Sequence, residues 1–267
     1  MKKFLVLLLF SAVALVSCEK FYSTSKGKPV TFNTSIPAGD SLIISCSECS
    51  LKGDELLWGD GLHHFYAVSP SGEITGNVAT INIPSTQNAG TKGFKVAAAE
   101  AIRGPEPVVL SFQPVSTTLE FVVGPGDYAD VEVSGFRLES AGGVLAGKFT
   151  ATLTPEKAPA IIIDFASTSP EITVETGTVS LRAGDTMKIT VTAMPQDLTN
   201  LTAYFTVDGE ERALSLVDSS GFPMVFPACQ KATITAIGFF APEQEGLFQV
   251  RIQGQDVEDF EITYYIL

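Results

Sequence analysis

Histidine and tryptophan are almost missing from this chain, which holds two of the first and one of the second in 267 residues. Because His63 and His64 are adjacent and make up the whole complement, a Ser-His-Asp arrangement has few ways to form. No Gly-x-Ser-x-Gly elbow and no glycine-rich phosphate loop occurs. Acidic pairs such as Glu210-Glu211 read as solvated turn residues, although glycosidase carboxylates drawn from distant strands would leave no local signature. Nothing completes the set of nucleophile, base and oxyanion donor that an active site needs, so the chain reads as no enzyme and calls for no cofactor. Positive charge is scarce too. Seventeen Lys and Arg face thirty Asp and Glu, a net charge of −13, which repels phosphate backbones and excludes nucleic acid as a partner. An apolar content of 45% excludes a disordered acidic tail. No apolar run reaches the ~20 residues that span a bilayer, and fifteen prolines with twenty-three glycines leave little room for long helices.

What is present begins with the N-terminus. Met1-Lys2-Lys3 is a basic start, Phe4 to Val16 is apolar apart from Ser11, and Leu15-Val16-Ser17-Cys18 follows. A basic segment, a short apolar segment and a small residue at the cut describe a secretory signal. The cysteine at that point resembles a bacterial lipobox, in which Cys18 is acylated and becomes the first mature residue. Residues 1–17 are then a signal peptide, and the lipid on Cys18 is the anchor to the outer membrane. Loss of Lys2 and Lys3 with the leader takes the net charge to −15. Removing Cys18 from the count leaves Cys46, Cys49 and Cys229, an odd number that cannot form a complete disulfide framework.

Period-two alternation runs through the rest. Val108, Leu110 and Phe112 alternate with Val109 and Ser111; Leu119, Phe121 and Val123 share a face opposite Glu120. Val131 and Val133, Ile189 and Val191, Ile234 and Ala236, and Phe248, Val250 and Ile252 repeat the pattern. Successive side chains of a strand point to opposite faces, so each segment reads as a half-buried strand. Turn signals separate them, among them Pro37-Ala38-Gly39-Asp40, Gly124-Pro125-Gly126 and Asp208-Gly209, the last a strong hairpin signal. Lys95–Ile102 is the one stretch that reads as a short helical turn, ended by Gly104-Pro105. Many short strands with frequent turns imply sandwiches or barrels. Proline-rich Thr154–Pro159 and Ser167–Pro170 flank Ile161-Ile162-Ile163, and they place a boundary between a first domain at 18–157 and a second at 158–267.

Several of these stretches resemble one family. Trp58 followed by Phe65-Tyr66-Ala67-Val68-Ser69-Pro70 is similar to an aromatic strand ending in a proline turn. Val108-Val109-Leu110-Ser111-Phe112 leading through Gln113–Thr118 into Leu119-Glu120-Phe121 is similar to a central hairpin. Val133–Leu138 with Gly147, Ala193–Gln196, and Leu201–Val207 with Asp208-Gly209 continue the likeness in order. Together with the lipobox they resemble the fimbrillins, the type V pilus subunits of Bacteroidetes. The resemblance implies an all-β chain of two tandem transthyretin-like β-sandwiches after a lipoprotein signal peptide. It also implies a place at the cell surface or in a fimbrium, as a structural or adhesive subunit in shaft, anchor or accessory position. In that family a protease removes the first strand, and a neighbouring subunit fills the groove with a C-terminal strand. The partners implied are other pilus subunits or further copies of the chain, with a host glycan or protein as the adhesion ligand.

Both ends carry fitting patterns. Val30, Phe32, Thr34 and Ile36 form one face of a candidate removable strand, and Phe260, Ile262, Tyr264 and Ile266 one face of a candidate donor strand. The second pattern also suits an ordinary closing strand. No arginine precedes Arg103, so the early arginine at which family members are cut has no equivalent, and cutting here would need a lysine-directed protease at Lys26, Lys28 or Lys52. Retention of lipid and first strand would suit an anchor or accessory subunit.

Two other readings compete. Cys46-Ser47-Glu48-Cys49 with His63-His64 offers thiolate and imidazole, but the spacing lacks a second disciplined pair and adjacent strand histidines point apart, so no metal is expected. Cys46 and Cys49 form a disulfide or remain two thiols. A surface glycan-binding lipoprotein of a polysaccharide-utilisation system is the alternative function, resting on Trp58, with Tyr22, Tyr66 and Tyr128, as an aromatic platform. Asp40-Ser41-Leu42 and Asp185-Thr186-Met187 resemble the O-glycosylation triplet of Bacteroidetes. The anchor is directly testable: palmitate fed to expressing cells should label the native chain and leave Cys18→Ser unlabelled and released from the membrane fraction.

Overall fold

A computed structural model of the chain describes residues 27–127, 130–218 and 220–240, and the backbone alone of 247–254 and 257–265. No helix occurs among the described residues. The strands in chain order are β1 (Phe32–Thr34), β2 (Ile43–Ser45), β3 (Ser50–Lys52), β4 (Glu55–Leu57), β5 (Leu62–Ser69), β6 (Glu73–Thr75), β7 (Val78–Ile83) and β8 (Thr86–Asn88). There follow β9 (Lys95–Ile102), β10 (Val108–Leu110), β11 (Gln113–Pro114), β12 (Thr117–Gly124), β13 (Val131–Ser140), β14 (Ala146–Thr152), β15 (Ala160–Ser169) and β16 (Glu171–Glu175). The remainder are β17 (Val179–Leu181), β18 (Met187–Ala193), β19 (Leu201–Val207), β20 (Glu210–Ser215), β21 (Lys231–Ile237), β22 (Leu247–Gly254) and β23 (Val257–Tyr265).

The alternation read from the sequence decides which face is buried. Val108 and Leu110 lie in a core while Val109 between them is 61% exposed; Leu119, Phe121 and Val123 are fully buried. The stretch expected to coil, Lys95–Ile102, is a strand instead. Its alanines have high helix propensity, but Ala97, Ala99 and Ala101 all turn to one apolar cluster, and packing on one face outweighs a propensity difference of tenths of a kcal/mol per residue. Asp208-Gly209 forms the expected hairpin: Val207 pairs with Glu210, and the two turn residues have φ of 53° and 84°. Positive φ at both central positions is what a type I′ turn requires.

The chain divides into two compact units, but not at residue 157. The first comprises Met1–Ala79, Val96–Gln113 and Thr152–Pro159; the second comprises Thr80–Lys95, Pro114–Ala151 and Ala160–Leu267. Strand pairing explains the difference. Residues 117–123 pair with 187–193, and 133–140 pair with 201–207, so the segment after Pro114 belongs to the sheets of the second unit. The proline-rich stretch marks one passage of the chain between units among several, and prolines cannot reveal the others.

In the first unit β2, β5 and β9 form one sheet, β1 and β10 pair in parallel, and β3 and β4 form a hairpin. Its core gathers Val30, Trp58, Phe65, Ala67, Ala97, Val108 and Leu110. In the second unit β18-β12-β21-β22-β23 form one sheet, β20-β19-β13-β16-β8 another with β17 on β13, and β15 and β14 continue to β7. The first two sheets meet face to face through phenylalanines. Phe121 of β12 lies 5.0 Å from Phe136 of β13, which lies 5.0 Å from Phe205 of β19; Phe239 and Phe240 close on Phe205 at 5.4 and 5.3 Å. These centroid separations are those of edge-to-face rings.

Two buried polar groups join the strands of this unit. Gln87 on β8 donates from Nε2 to the Thr192 carbonyl at 2.7 Å and accepts from the Thr192 N–H at 3.0 Å, so one side-chain amide caps the open edge of β18 in the facing sheet. Glu120, on β12 between β18 and β21, accepts bonds from Lys188 at 2.6 Å and Lys231 at 2.8 Å, one from each flanking strand. Burial pushes its carboxyl up, and the two lysines outweigh that and hold it below the usual range. Gln87→Leu keeps the volume and orphans both backbone groups of Thr192. The expected loss is about 3 kcal/mol, read as a lower urea midpoint with an unchanged slope.

Candidate functional site

The N-terminal segment is hydrogen-bonded into the first unit, with Val30 buried in its core. Gly27 N–H donates to the Trp58 carbonyl at 2.9 Å, Trp58 N–H to the Lys28 carbonyl at 3.0 Å and Val30 N–H to the Leu56 carbonyl at 2.8 Å. From Thr31 onward the opposite side is used: Val108 N–H donates to the Thr31 carbonyl at 2.8 Å, and β1 runs parallel to β10 with Phe32 against Val108. Val30 is buried, Phe32, Thr34 and Ile36 are half-buried, and Thr31, Asn33 and Ser35 face water. Phe32 meets Phe65 edge-on at 5.5 Å. Taking out this segment would uncover Trp58, Phe65, Val108 and Leu110 and leave unpaired backbone on both sides, an apolar slot with strand edges for walls.

At the other end, β23 pairs antiparallel with β22, with Phe260 opposite Ile252, Ile262 opposite Val250 and Tyr264 opposite Phe248. Among the described residues it is the last strand of the sheet of its own unit, with no strand paired on its other side. Ile266 lies outside the described residues, as do Cys18, Tyr22 and Tyr128.

Trp58 is 3% exposed. Its indole packs edge-on against His63 at 5.0 Å and Phe65 at 5.7 Å, so it is core and offers no face to a sugar. A groove of about 470 Å³ in the same unit, beside β9 and β10, is lined by Ala98, Glu100, Val109, Gln113, Glu156 and Lys157 among others, and by no aromatic ring.

Cys46 and Cys49 are joined in a disulfide with Cα atoms 5.5 Å apart, which removes the thiolates a metal would need. His63 is fully buried and its Nε2 accepts the Gly59 N–H at 3.0 Å, while His64 faces outward, so the two imidazoles diverge as the strand requires. Among the described residues no three His, Cys, Asp or Glu side chains are arranged to hold a metal ion. Cys229 is a free, half-buried thiol that burial pushes up to about 11, which keeps it protonated and unreactive at neutral pH.

The disulfide loop has a role the sequence did not reveal. It carries Glu48, whose Oε1 lies 3.0 Å from His64 Nδ1 and whose Oε2 accepts the His64 N–H at 3.3 Å; His64 Nε2 lies 3.3 Å from Glu100 on β9. The imidazole thus clamps the loop and two strands together. Nearby, Arg103 bonds Asp60 at 2.6 Å and the Gly59 carbonyl at 3.4 Å, with its side chain 13% exposed. The first arginine of the chain is a structural tie and is poorly presented to a protease.

No protein-family model matches the sequence, and no curated protein matches it. Solved structures do. A proposed cell adhesion protein from Bacteroides uniformis superposes with a TM-score of 0.50 over 85% of this chain and 94% of its own, at 16% identity. A second from Bacteroides ovatus gives a TM-score of 0.51 over 88% and 99%, at 12% identity. The likeness is one of fold, and it spans both units.

Partial burial alone would raise the Glu48 carboxyl, but the bonds from the His64 side chain and backbone overcome it and bring it down to about 2. A folded-state value below the unfolded one means that this contribution is complete above about pH 4.5 and is lost as pH falls toward 2. Glu48→Gln should therefore be less stable than the parent at pH 7, with the gap closing on acidification through that window; thermal melts at stepped pH measure it. The chain shares its two-unit all-β fold with proposed adhesion proteins of Bacteroides, as the fimbrillin-like stretches of the sequence led one to expect.

Proposed function

We propose that this chain is an adhesive subunit of a cell-surface type V pilus, anchored to the outer membrane through lipid on Cys18 and joined to its neighbours by strand addition. The carrying observation is the seat of residues 27–34: an N-terminal segment that places Val30 and Phe32 against an apolar core, bonded to residues 56–58 on one side before Thr31 and to β10 on the other side after it, and followed by the Pro37–Asp40 turn. A strand so held is replaceable by another of the same pattern, because main-chain bonds supply affinity and alternating pockets supply register. The alternating face of Phe260, Ile262 and Tyr264 supplies a segment with that pattern, and its position at a sheet edge allows it to leave with the loss of one ladder. Head-to-tail exchange of this kind builds an open filament rather than a closed ring when the rotation does not close.

The lack of arginine before Arg103, together with the burial of Arg103 itself, favours a subunit that keeps its first strand and its lipid, at the anchor or in an accessory position. Glycan binding through Trp58 has no support, since its ring is core.

Strand addition makes a direct forecast. A chain lacking residues 18–36, mixed with the full-length mature chain, should form ladders that survive mild denaturation, and a peptide of residues 256–267 should block them. The intact chain alone should give none. Absence of ladders and of peptide binding from a folded, truncated chain would end this reading.

A further inference from the structure

Among the open sheet edges, that of β15 is long and apolar. β15 is a ten-residue strand that, among the described residues, is hydrogen-bonded to β14 on one side only. Natural edges are blunted by lysine, proline, bulges or short length, yet Ala160–Ser169 holds neither lysine nor proline, and Asp164 is its single charge. Ile162 is 68% and Phe165 69% exposed. Exposed apolar surface on a long edge marks an interaction site or an aggregation hazard.

The two halves of the strand differ. In the C-terminal half a side chain caps the edge: Asp164 accepts the Ala166 N–H at 3.1 Å, and its other oxygen takes the Ser167 hydroxyl at 3.4 Å. Among the described residues no side chain caps Ile161-Ile162-Ile163. The phase of the ladder says which groups face out. Leu145 N–H donates to the Ser169 carbonyl at 2.7 Å, so odd-numbered residues of β15 direct their backbone toward β14. Even-numbered residues, Ala160, Ile162 and Asp164, direct theirs to the free edge. The capping of Ala166 N–H by a side chain agrees with that phase.

We propose that β15 pairs antiparallel with β15 of a second copy of this chain, about a two-fold axis at Ile162. The sequence is self-complementary there. Ile162 meets its own copy, Ile161 meets Ile163 of the other chain, and Ala160 meets Asp164, with outward backbone groups matched at each bonded pair. Phe165 then lies diagonal to Ile161 of the other copy, within reach of an aromatic side chain. Charge selects this register. It holds the two Asp164 carboxylates about 13 Å apart along the strand, beyond the ~8 Å screening length at physiological salt. Shifting the centre to Ile163 would place Asp164 against Ile162 and desolvate a carboxylate. In a chain of net charge −13, an edge with a charge-free triplet at its centre is a place where two copies meet without repulsion. One strand on one strand covers less than the roughly 1,200 Å² of a stable specific interface, so the contact is weak in dilute solution and favoured where chains are concentrated side by side.

The test uses the leaderless chain 19–267, by sedimentation equilibrium across a concentration series. The expected result is a reversible monomer–dimer equilibrium that Ile162→Lys weakens at least about tenfold, with melting unchanged because the side chain is exposed. In a Cys229→Ser background, Ile162→Cys should cross-link to its own copy under mild oxidation, and Val109→Cys, exposed in the other unit, should not. A chain that stays monomeric throughout with no Ile162→Cys cross-link overturns the proposal. So does a dimer that Ile162→Lys leaves intact. Neither outcome depends on strand exchange at the termini, since deletion of residues 256–267 should leave this dimer in place.

Discussion

An extended backbone carries an N–H and a C=O on each side, and an all-β chain stands only if each row of them finds partners. That constraint organises this molecule. In the second unit the open side of β18 is closed by one amide, Gln87, which bonds both backbone groups of Thr192 from the opposite sheet. In the first unit the segment around Val30 serves two neighbours, residues 56–58 before Thr31 and β10 after it. In the C-terminal half of β15 the Ala166 N–H is taken by the strand's own Asp164. Among the described residues, the far side of β23 and the outer side of β15 are two of the sheet edges with no strand beside them.

Charge follows the same division. The chain is strongly acidic, and several of its carboxylates are matched to a cation or imidazole. Glu120 sits between Lys188 and Lys231, Glu48 against His64 and Asp60 against Arg103. Arg137 gathers Glu139, Glu171 and Glu211 on the surface of the second unit while its guanidinium lies 4.0 Å over the Tyr204 ring. Glu120 with Lys188 and Lys231 joins neighbouring strands, Arg137–Glu139 lies within one strand, and Arg103–Asp60 joins two loops.

The alternation of apolar residues was legible in several strands whose side chains the structure describes. Val108 and Leu110 go in and Val109 goes out; Leu119, Phe121 and Val123 share a core; the Asp208-Gly209 hairpin has the pairing its turn chemistry requires. These features are local, because side-chain direction in a strand repeats every two residues whatever the strand pairs with. The stretch Lys95–Ile102 was misread for the same reason turned around: alanine has no preference of face, so only its neighbours could choose strand over helix. The domain boundary was misread because pairing between residues 117–123 and 187–193 joins segments that no linker signal connects.

By itself, then, the sequence determined that this is an all-β chain, which face is buried in many of the strands whose side chains are described, and where tight turns fall. Tertiary structure alone decided which strands are neighbours. From that choice come the burial of Trp58, the clamp of Glu48 and Glu100 on His64, the seat of the first strand between two partners, and the exposure of Ile162 at an open edge. The reason is physical. Face is set by a period of two within a strand, whereas edge is set by hydrogen bonds to residues tens of positions away, and a strand's own residues do not say who lies beside it.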